Sequence, residues 1–557
     1  MNKPSFDPYV ELLLASREHS LPSYAAMLAD FVEWVRTDVD SQAAYTDRYA
    51  PPILETYDRN GAVVNRIVLN SRYEEQHAEV YRRGIIGLPY SEGAPHLLTF
   101  TMGYLLAQAD ISLHCPVTLT GAVAYVLGYH APQDVRARYL QDVVRMDGLA
   151  KTGGTWATEQ HGGSDVGATT TRATRADGHF RLHGLKWFTS NTNSGLALAT
   201  ARPDGAPAGS EGLGLYLVPS HLEDGSPNFY RIRRLKEKLG TKGLPTGEIE
   251  LEGALAIEVA PPPYGLKMMM EALEYSRIHN AVGAAGIQRR ALREALEWAK
   301  SRRAFGKTLI EFPMVQDQLL SMRVRYEACT LLAFEAAIAF DEALADPERR
   351  AWLRIATALA KYLSAEDAIY STRSALELLG GNGYTRDFAT ERVLRDAQVL
   401  TVWEGPANIQ ALELLRMLSA KYAGAKLYEA RMRTVLNSMP DDLSELRPML
   451  TARLREDLRA IEQVGSSKQH AERYARKLLH RLSQSLAFAL MCELASKAED
   501  GTSLHCALTT LRYFEEIEPP AIGAENEKVR SHSIELLEEV QLLQVSNLPA
   551  VSGAVQS

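Results

Sequence analysis

The residues best suited to chemistry in this chain fall in three short stretches. The first is Thr155-Trp156-Ala157-Thr158-Glu159-Gln160-His161-Gly162-Gly163-Ser164-Asp165. A Gly-Gly-Ser turn lets backbone N–H groups approach an anion closely, and the hydroxyls of Thr158 and Ser164 add hydrogen bonds. The second, Lys186-Trp187-Phe188-Thr189-Ser190-Asn191, sets an indole beside a hydroxyl at the end of a strand-like run. An indole can back a planar ring while the hydroxyl meets that ring's polar edge. The third is Trp403-Glu404-Gly405-Pro406, a carboxylate between an aromatic residue and a glycine. Each has a plainer alternative when taken alone: a glycine turn, a core tryptophan, a glutamate in a surface turn or cap.

The elements that must position these residues change character along the chain. Up to about residue 150 the pattern is helical: Met27, Phe31, Trp34 and Val35 share one face, and similar spacing recurs from Leu97 to Leu106. From Thr152 to about Val259 the period becomes two, in Phe180/Leu182, Leu196/Leu198/Thr200, Leu213/Leu215/Leu217 and Ile249/Leu251. Asp177-Gly178 is a hairpin-turn candidate, and Arg202 to Gly212 reads as a loop. Pro261-Pro262-Pro263 ends the strands. Helices are then predicted over Leu266–Ser301, Met314–Asp341, Ala351–Leu379 and Ile409–Leu418, with a further helical segment beyond Gly424. The expected domains are 1–152 (helical), 153–263 (β), 264–424 (helical bundle) and 425–557 (helical).

Composition narrows the function classes. Of the 557 residues, 46% are hydrophobic and 23% charged, which excludes a disordered or fibrous chain. A net charge of −8 gives no global case for binding nucleic acid or anionic membrane. Cys115, Cys329, Cys492 and Cys506 are scattered, so neither a disulfide framework nor a metal site is expected. With acidic residues early in the chain and no apolar run of about 20 residues, the expectation is a soluble cytoplasmic protein.

Taken together and in this order, the motifs resemble the acyl-CoA dehydrogenase flavoprotein family, whose flavin signature has a T-E-x-x-x-G-S-D core followed by a W-x-T strand. Further agreements are Arg277 on the helix after the prolines, Arg302-Arg303-Ala304-Phe305-Gly306 as an R-x-x-F-G turn, and Gly380-Gly381-Asn382-Gly383-Tyr384 as a G-G-N-G loop. Trp403-Glu404-Gly405 is similar to the aromatic-Glu-Gly motif. The resemblance covers roughly Arg72 to Arg416. Leu235-Lys236-Glu237-Lys238-Leu239-Gly240, Phe312-Pro313 and the added C-terminal helices resemble the adaptive-response (AidB-type) branch.

The resemblance implies a multidomain α+β protein: an N-terminal α domain, a middle β domain and an α bundle, with an extra C-terminal helical domain. It implies FAD held by Thr155, Ala157, Thr158, Gly163, Ser164, Trp187, Phe188, Thr189, Pro406 and Asn408. Arg302, Phe305, Gly380, Gly381 and Gly383 would touch the flavin of a neighbouring subunit in a homodimer or homotetramer. Glu404 becomes the general base for α,β-dehydrogenation of an acyl thioester such as acyl-CoA, with hydride transfer to flavin N5. Ser164, Arg277 and Gly405 become substrate contacts, and an electron-transfer flavoprotein becomes the electron acceptor. Ser276 occupies the place where some members carry the base, and Glu274 is the expected ion-pair partner of Arg277. Arg277 as a surface charge, Trp187 as core and His161 as a solvated loop residue remain the plainer alternatives. Pro406 departs from the usual Thr or Ser, and Trp156-Ala157 from the usual small-aliphatic pair, a change expected to bear on the pocket wall. A second implied role is acyl-ligand sensing or DNA binding with little turnover. For that role Arg453, Arg455, Arg459, Lys468, Arg473, Arg476, Lys477 and Arg481 form either a phosphate-binding stripe or a solvated, ion-paired helix face.

Overall fold

A computed structural model of the chain describes residues 5–538 apart from 177, 444, 499–501 and 522. Asp177 of the expected hairpin turn and the last residues of the expected C-terminal domain therefore lie outside the described residues. The N-terminal part is helical. The face of Met27, Phe31 and Trp34 belongs to α1 (Ala25–Trp34), while Val35 opens a π-helical turn, Val35–Val39.

One element there is not a helix. β1 (Ile53–Tyr57) and β2 (Val63–Val68) form an antiparallel hairpin that reaches across to the β domain. Within β2, where the pairing with β1 is irregular, Asn65 takes a left-handed φ of +52°. Its carboxamide donates to the Tyr230 carbonyl (3.3 Å) and accepts from the Ile232 N–H (2.7 Å). Asn is among the few residues that tolerate this conformation.

α2 (His96–Ala107) and α3 (Ile111–Tyr129) are buried nearly all round because both pack on the bundle and on each other, with α3 also against the β domain. Asp110 caps α3 by accepting from the Ser112 N–H at 2.7 Å. Among the described residues α3 is the one helix long and apolar enough to cross a membrane, and all of it up to Gly128 is buried inside the protein.

The middle of the chain is a seven-stranded sheet: β3 (Gly153–Trp156), β4 (Arg172–Ala176), β5 (His179–Ser190), β6 (Leu196–Pro203), β7 (Gly214–Pro219), β8 (Tyr230–Leu235) and β9 (Thr246–Ala260). The order is β3-β6-β4-β5-β9-β7, with β8 on β9, and pairing of β7 with β6 closes five strands into a barrel. Trp156, Leu182, Tyr216, Ile249 and Leu251 fill its core.

After the prolines, α4 (Gly265–Ser301), α5 (Pro313–Ala345) and α6 (Arg350–Leu378) build the bundle, followed by α7 (Thr390–Leu400) and α8 (Ala407–Leu418). Beyond them, α9 (Leu446–Gly465), α10 (Lys468–Lys497) and α11 (Ser503–Ile517) cover the outer side of the bundle. Buried ion pairs tie this layer down: Arg431 bridges Glu335 and Glu493, and Arg325 bridges Asp367 and Glu516. The four cysteines are free and buried.

Candidate functional site

The glycine turn and the indole strand meet through one backbone hydrogen bond, from the Trp187 N–H to the Thr158 carbonyl at 2.9 Å. Strand alternation sends Trp156 into the barrel core, 1% exposed and edge-on to Tyr230. The expectation that Trp156 reshapes the pocket wall is thereby corrected. Its neighbours Thr155 and Ala157 face the other way and are half-buried. Gly162 has φ +138°, and a Cβ on Gly163 would stand 2.5 Å from the Thr158 hydroxyl, so this turn needs glycine. Gly163 and Ser164 lie open to solvent, as does His161.

Beneath the turn Glu159 is anchored. It accepts the N–H and hydroxyl of both Thr170 and Thr171, and the Lys186 ammonium at 3.0 Å. Burial alone would raise its pKa, but Lys186 and the threonines outweigh it and hold the carboxyl down to about 2.

On β5 two residues, Trp187 and Phe188, oppose the single Glu248 on β9, and this bulge turns them outward. The Lys236 ammonium lies 3.5 Å from the Trp187 ring centroid and 4.9 Å from that of Phe188. Trp187 is thus half-buried rather than core. Thr189 turns inward, and its hydroxyl donates to the Gly247 carbonyl at 2.9 Å. Only its remaining lone pairs and backbone are left for a ligand.

The third stretch closes the cleft from the bundle side. Glu404 and Gly405 both have left-handed φ, +58° and +96°. Three buried donors hold their carbonyls inward. Arg277 Nε reaches Glu404 O at 3.0 Å, Lys361 Nζ reaches Gly405 O at 2.9 Å, and Gln410 Nε2 reaches both at 3.1 and 3.0 Å. Among the described residues the Glu404 N–H meets no acceptor, and Glu404 Oε2 is buried without a hydrogen-bond partner. Burial pushes the Glu404 carboxyl up to about 7 against the opposing pull of Arg277 and Lys361. Trp403 packs on Cys115, Leu119 and Leu244, and Ser190 lies in hydrogen-bonding reach of Cys115, which connects this loop to the end of β5.

Arg277 is buried, so the surface-charge alternative fails. Its other contact is with Glu274, 3.7 Å away. Ser276 spends its hydroxyl on the Ala272 carbonyl. Pro406 stands at the N-cap of α8, exposed beside Asn408.

The remaining motifs lie elsewhere. Arg302 is 25 residues beyond Arg277 on α4, roughly 37 Å along the helix. α4 and α6 run parallel, with Arg350 near Glu271 at one end and Trp298 against Phe388 at the other. The Arg302–Gly306 turn and the Gly380–Tyr384 loop therefore share the far end, where Phe305 is 96% and Tyr384 81% exposed. Within one chain these residues do not join the Glu404 cleft. Sequence reasoning missed Lys361, Gln410 and Lys236. For Lys361 a signal existed, a lone lysine in the apolar run Ala358-Leu359-Ala360-Lys361-Tyr362-Leu363.

In the basic stripe, Arg453 pairs with Glu518, Arg481 with Glu456 and Asp457, Lys468 with Glu472 and Arg476 with Glu366. Arg473 and Lys477 both lie beside the Tyr474 ring.

With fold and cleft in view, comparison with known proteins gives the class. Residues 154–254 match the acyl-CoA dehydrogenase middle domain and 264–419 its C-terminal domain. The chain belongs to the acyl-CoA dehydrogenase family, with extra C-terminal helices. Its particular branch follows from residues 6–147, which match the N-terminal domain of the adaptive response protein AidB and carry the likeness further toward the N-terminus than Arg72. It is 31% identical over 461 residues to acyl-CoA dehydrogenase family member 11 of Caenorhabditis elegans, covering 80% of this chain and 74% of that one. It is 32% identical over 389 residues to the putative acyl-CoA dehydrogenase AidB of Escherichia coli, covering 67% and 70%. A crystal structure of the nematode protein ACDH-11 in complex with C11-CoA superposes with a TM-score of 0.83 at 27% identity, covering 92% and 91%. An acyl-CoA dehydrogenase complexed with FAD from Bacillus anthracis shares the fold at TM-score 0.76 and 16% identity, covering 94% and 93%.

Proposed function

We propose that this protein is an FAD-dependent dehydrogenase that oxidises an acyl thioester between Cα and Cβ, with Glu404 as general base. One observation carries the reading: a buried carboxylate oxygen without a partner, on a loop whose Glu404 and Gly405 carbonyls are both held by buried donors. A base must keep a free lone pair and titrate near its working pH, and Glu404, pushed up to about 7, meets both requirements. Its N–H, which meets no acceptor among the described residues, is free to donate to a thioester oxygen, and such a bond would acidify the α-proton. Glu404 then takes that proton.

The chain fits FAD. Gly163 and Ser164 offer an open backbone turn, Thr158 stands beside it, and the half-buried Trp187 indole offers a ring face. Thr155, Ala157, Phe188 and Thr189 would contribute chiefly through backbone atoms. When bound, FAD supplies the acceptor for the β-hydride. The exposed Phe305 turn and the Gly380, Gly381 and Gly383 loop are read as contacts to a second subunit, which makes the working unit a dimer or tetramer. An acyl-CoA substrate, an electron-transfer flavoprotein as acceptor and a reducing cytoplasmic setting complete the proposal. The DNA-binding alternative draws no support from the stripe, since four of its eight cations are ion-paired.

The test is the visible spectrum of the purified protein, followed anaerobically during titration with short, medium and long acyl-CoAs. Bleaching by one chain-length class, lost in Glu404→Gln, is the expected result. A bound flavin that no thioester reduces would sink the dehydrogenase reading and favour ligand sensing.

A further inference from the structure

Lys361 lies on α6 with 1% of its surface exposed, and its ammonium donates to the Gly405 carbonyl at 2.9 Å. An ammonium is rarely buried without a carboxylate in direct contact, because removing it from water costs several kcal/mol, in round figures. At Lys361 the nearby negative groups are Glu404 and, on its own helix, Glu366, while Arg277 opposes them. Glu404 in turn is faced by Arg277 from α4, Lys361 from α6 and Cys115 from α3, with Glu274 behind Arg277. No bond joins Lys361 Nζ to the Glu404 carboxylate among the described residues. The lysine therefore acts across space and through the backbone it holds.

We propose that Lys361 is a positioning residue for Glu404: fixed on the Gly405 carbonyl, it keeps the left-handed loop in place and sets a buried positive charge against the carboxylate. This deepens the dehydrogenase reading and rests on it for its meaning in catalysis. Arg277 and Gln410 hold the Glu404 carbonyl and Gln410 shares the Gly405 carbonyl, so beyond its share in anchoring the loop Lys361 adds the charge. Burial pushes the lysine down to about 7, so the two groups titrate over the same range and each stabilises the charged form of the other.

The test needs no thioester, so it reads out whether or not the protein turns over an acyl-CoA. In full-length protein labelled with [13Cδ]glutamate, the Glu404 carboxyl resonance is assigned by its absence in Glu404→Gln and titrated with pH. Lys361→Met should move its midpoint up by about one pH unit or more. Lys361→Arg should leave it within a few tenths, as expected when the charge is restored. A Lys361→Met titration matching wild type, or equal shifts in both variants, overturns the proposal. Should Lys361→Met fail to fold, the reciprocal measurement decides. In [13Cε]lysine-labelled protein, Glu404→Gln should lower the Lys361 midpoint by a similar amount, and an unchanged Lys361 titration refutes the coupling. If wild-type protein bleaches with an acyl-CoA, the pH profile of bleaching should shift in Lys361→Met and not in Lys361→Arg. Absence of bleaching in wild type alone would count against the dehydrogenase reading and leave the coupling result standing.

Discussion

The protein buries two lysine–glutamate sets, and they behave in opposite ways. Under the glycine turn, Lys186 touches Glu159 directly at 3.0 Å, both are essentially inaccessible, and four further donors from Thr170 and Thr171 fill the carboxylate. At the cleft, Lys361 is spent on a carbonyl and Glu404 keeps an unpartnered oxygen. The first carboxyl is held down to about 2 and the second is pushed up to about 7. Residue types are shared, and what separates the two sets is the number of donors aimed at each carboxylate. A saturated carboxylate is a fastener. An unsaturated one can take a proton.

The sharpest way to break this comparison is to remove one member of each set. Glu159→Gln or Lys186→Met leaves a buried charge uncompensated and should cost about 3–5 kcal/mol in urea unfolding. Below about pH 4.5, where Glu404 is protonated, Glu404→Gln should change stability by less than about 1 kcal/mol, because the amide loses no direct partner. Comparable losses at the two sites would erase the distinction.

The pH dependence sharpens it further, with opposite signs. Glu159 has a folded pKa below its ordinary value. Its stabilisation is present above about pH 4.5 and lost as pH falls toward 2, so the gap between wild type and Glu159→Gln should close there. Glu404 has a folded pKa above its ordinary value. The folded state holds its proton more tightly, and wild type should lose stability relative to Glu404→Gln as pH rises from about 4.5 to about 7. Parallel slopes in the two comparisons would contradict the assignment. The smallest effect belongs to the exposed set on α10. Reversing Arg473, Arg476 and Lys477 to glutamate should alter unfolding by no more than about 0.5 kcal/mol. Salt-sensitive DNA binding abolished by the same reversal would restore the phosphate-binding view of the stripe.

Most of the architecture was legible because it is written in periods. The expected helix Leu266–Ser301 is Gly265–Ser301, Ala351–Leu379 is Arg350–Leu378, and the alternating pairs sit on β5, β6, β7 and β9. The β1–β2 hairpin was missed because its two runs, Ile-Leu-Glu-Thr-Tyr and Val-Val-Asn-Arg-Ile-Val, sit among helices and are short. At the cleft, motifs singled out Glu404 and Arg277, yet what each does depends on contacts across more than a hundred residues of sequence. Arg277 meets Glu404 through its main-chain carbonyl, and Thr189 spends its hydroxyl on Gly247. Lys361 carries no motif signature; its place in an apolar run marks it as buried, but its role comes only from the packing of α6 against the loop. Trp156 illustrates the reverse error, since a bulky residue inside a cofactor motif suggests a pocket wall until the strand's alternation sends it into the core.

Asn65 has a consequence for the protein's conduct outside its chemistry. β8 pairs with β9 on one side only, so its other side would present bare backbone groups. The Asn65 carboxamide occupies that side at Tyr230 and Ile232, standing in for a neighbouring strand with a single side chain. A sheet margin plugged in this way resists recruiting a strand from another molecule. The N-terminal hairpin thereby doubles as a guard against edge-to-edge strand pairing, and removing it would leave that margin bare.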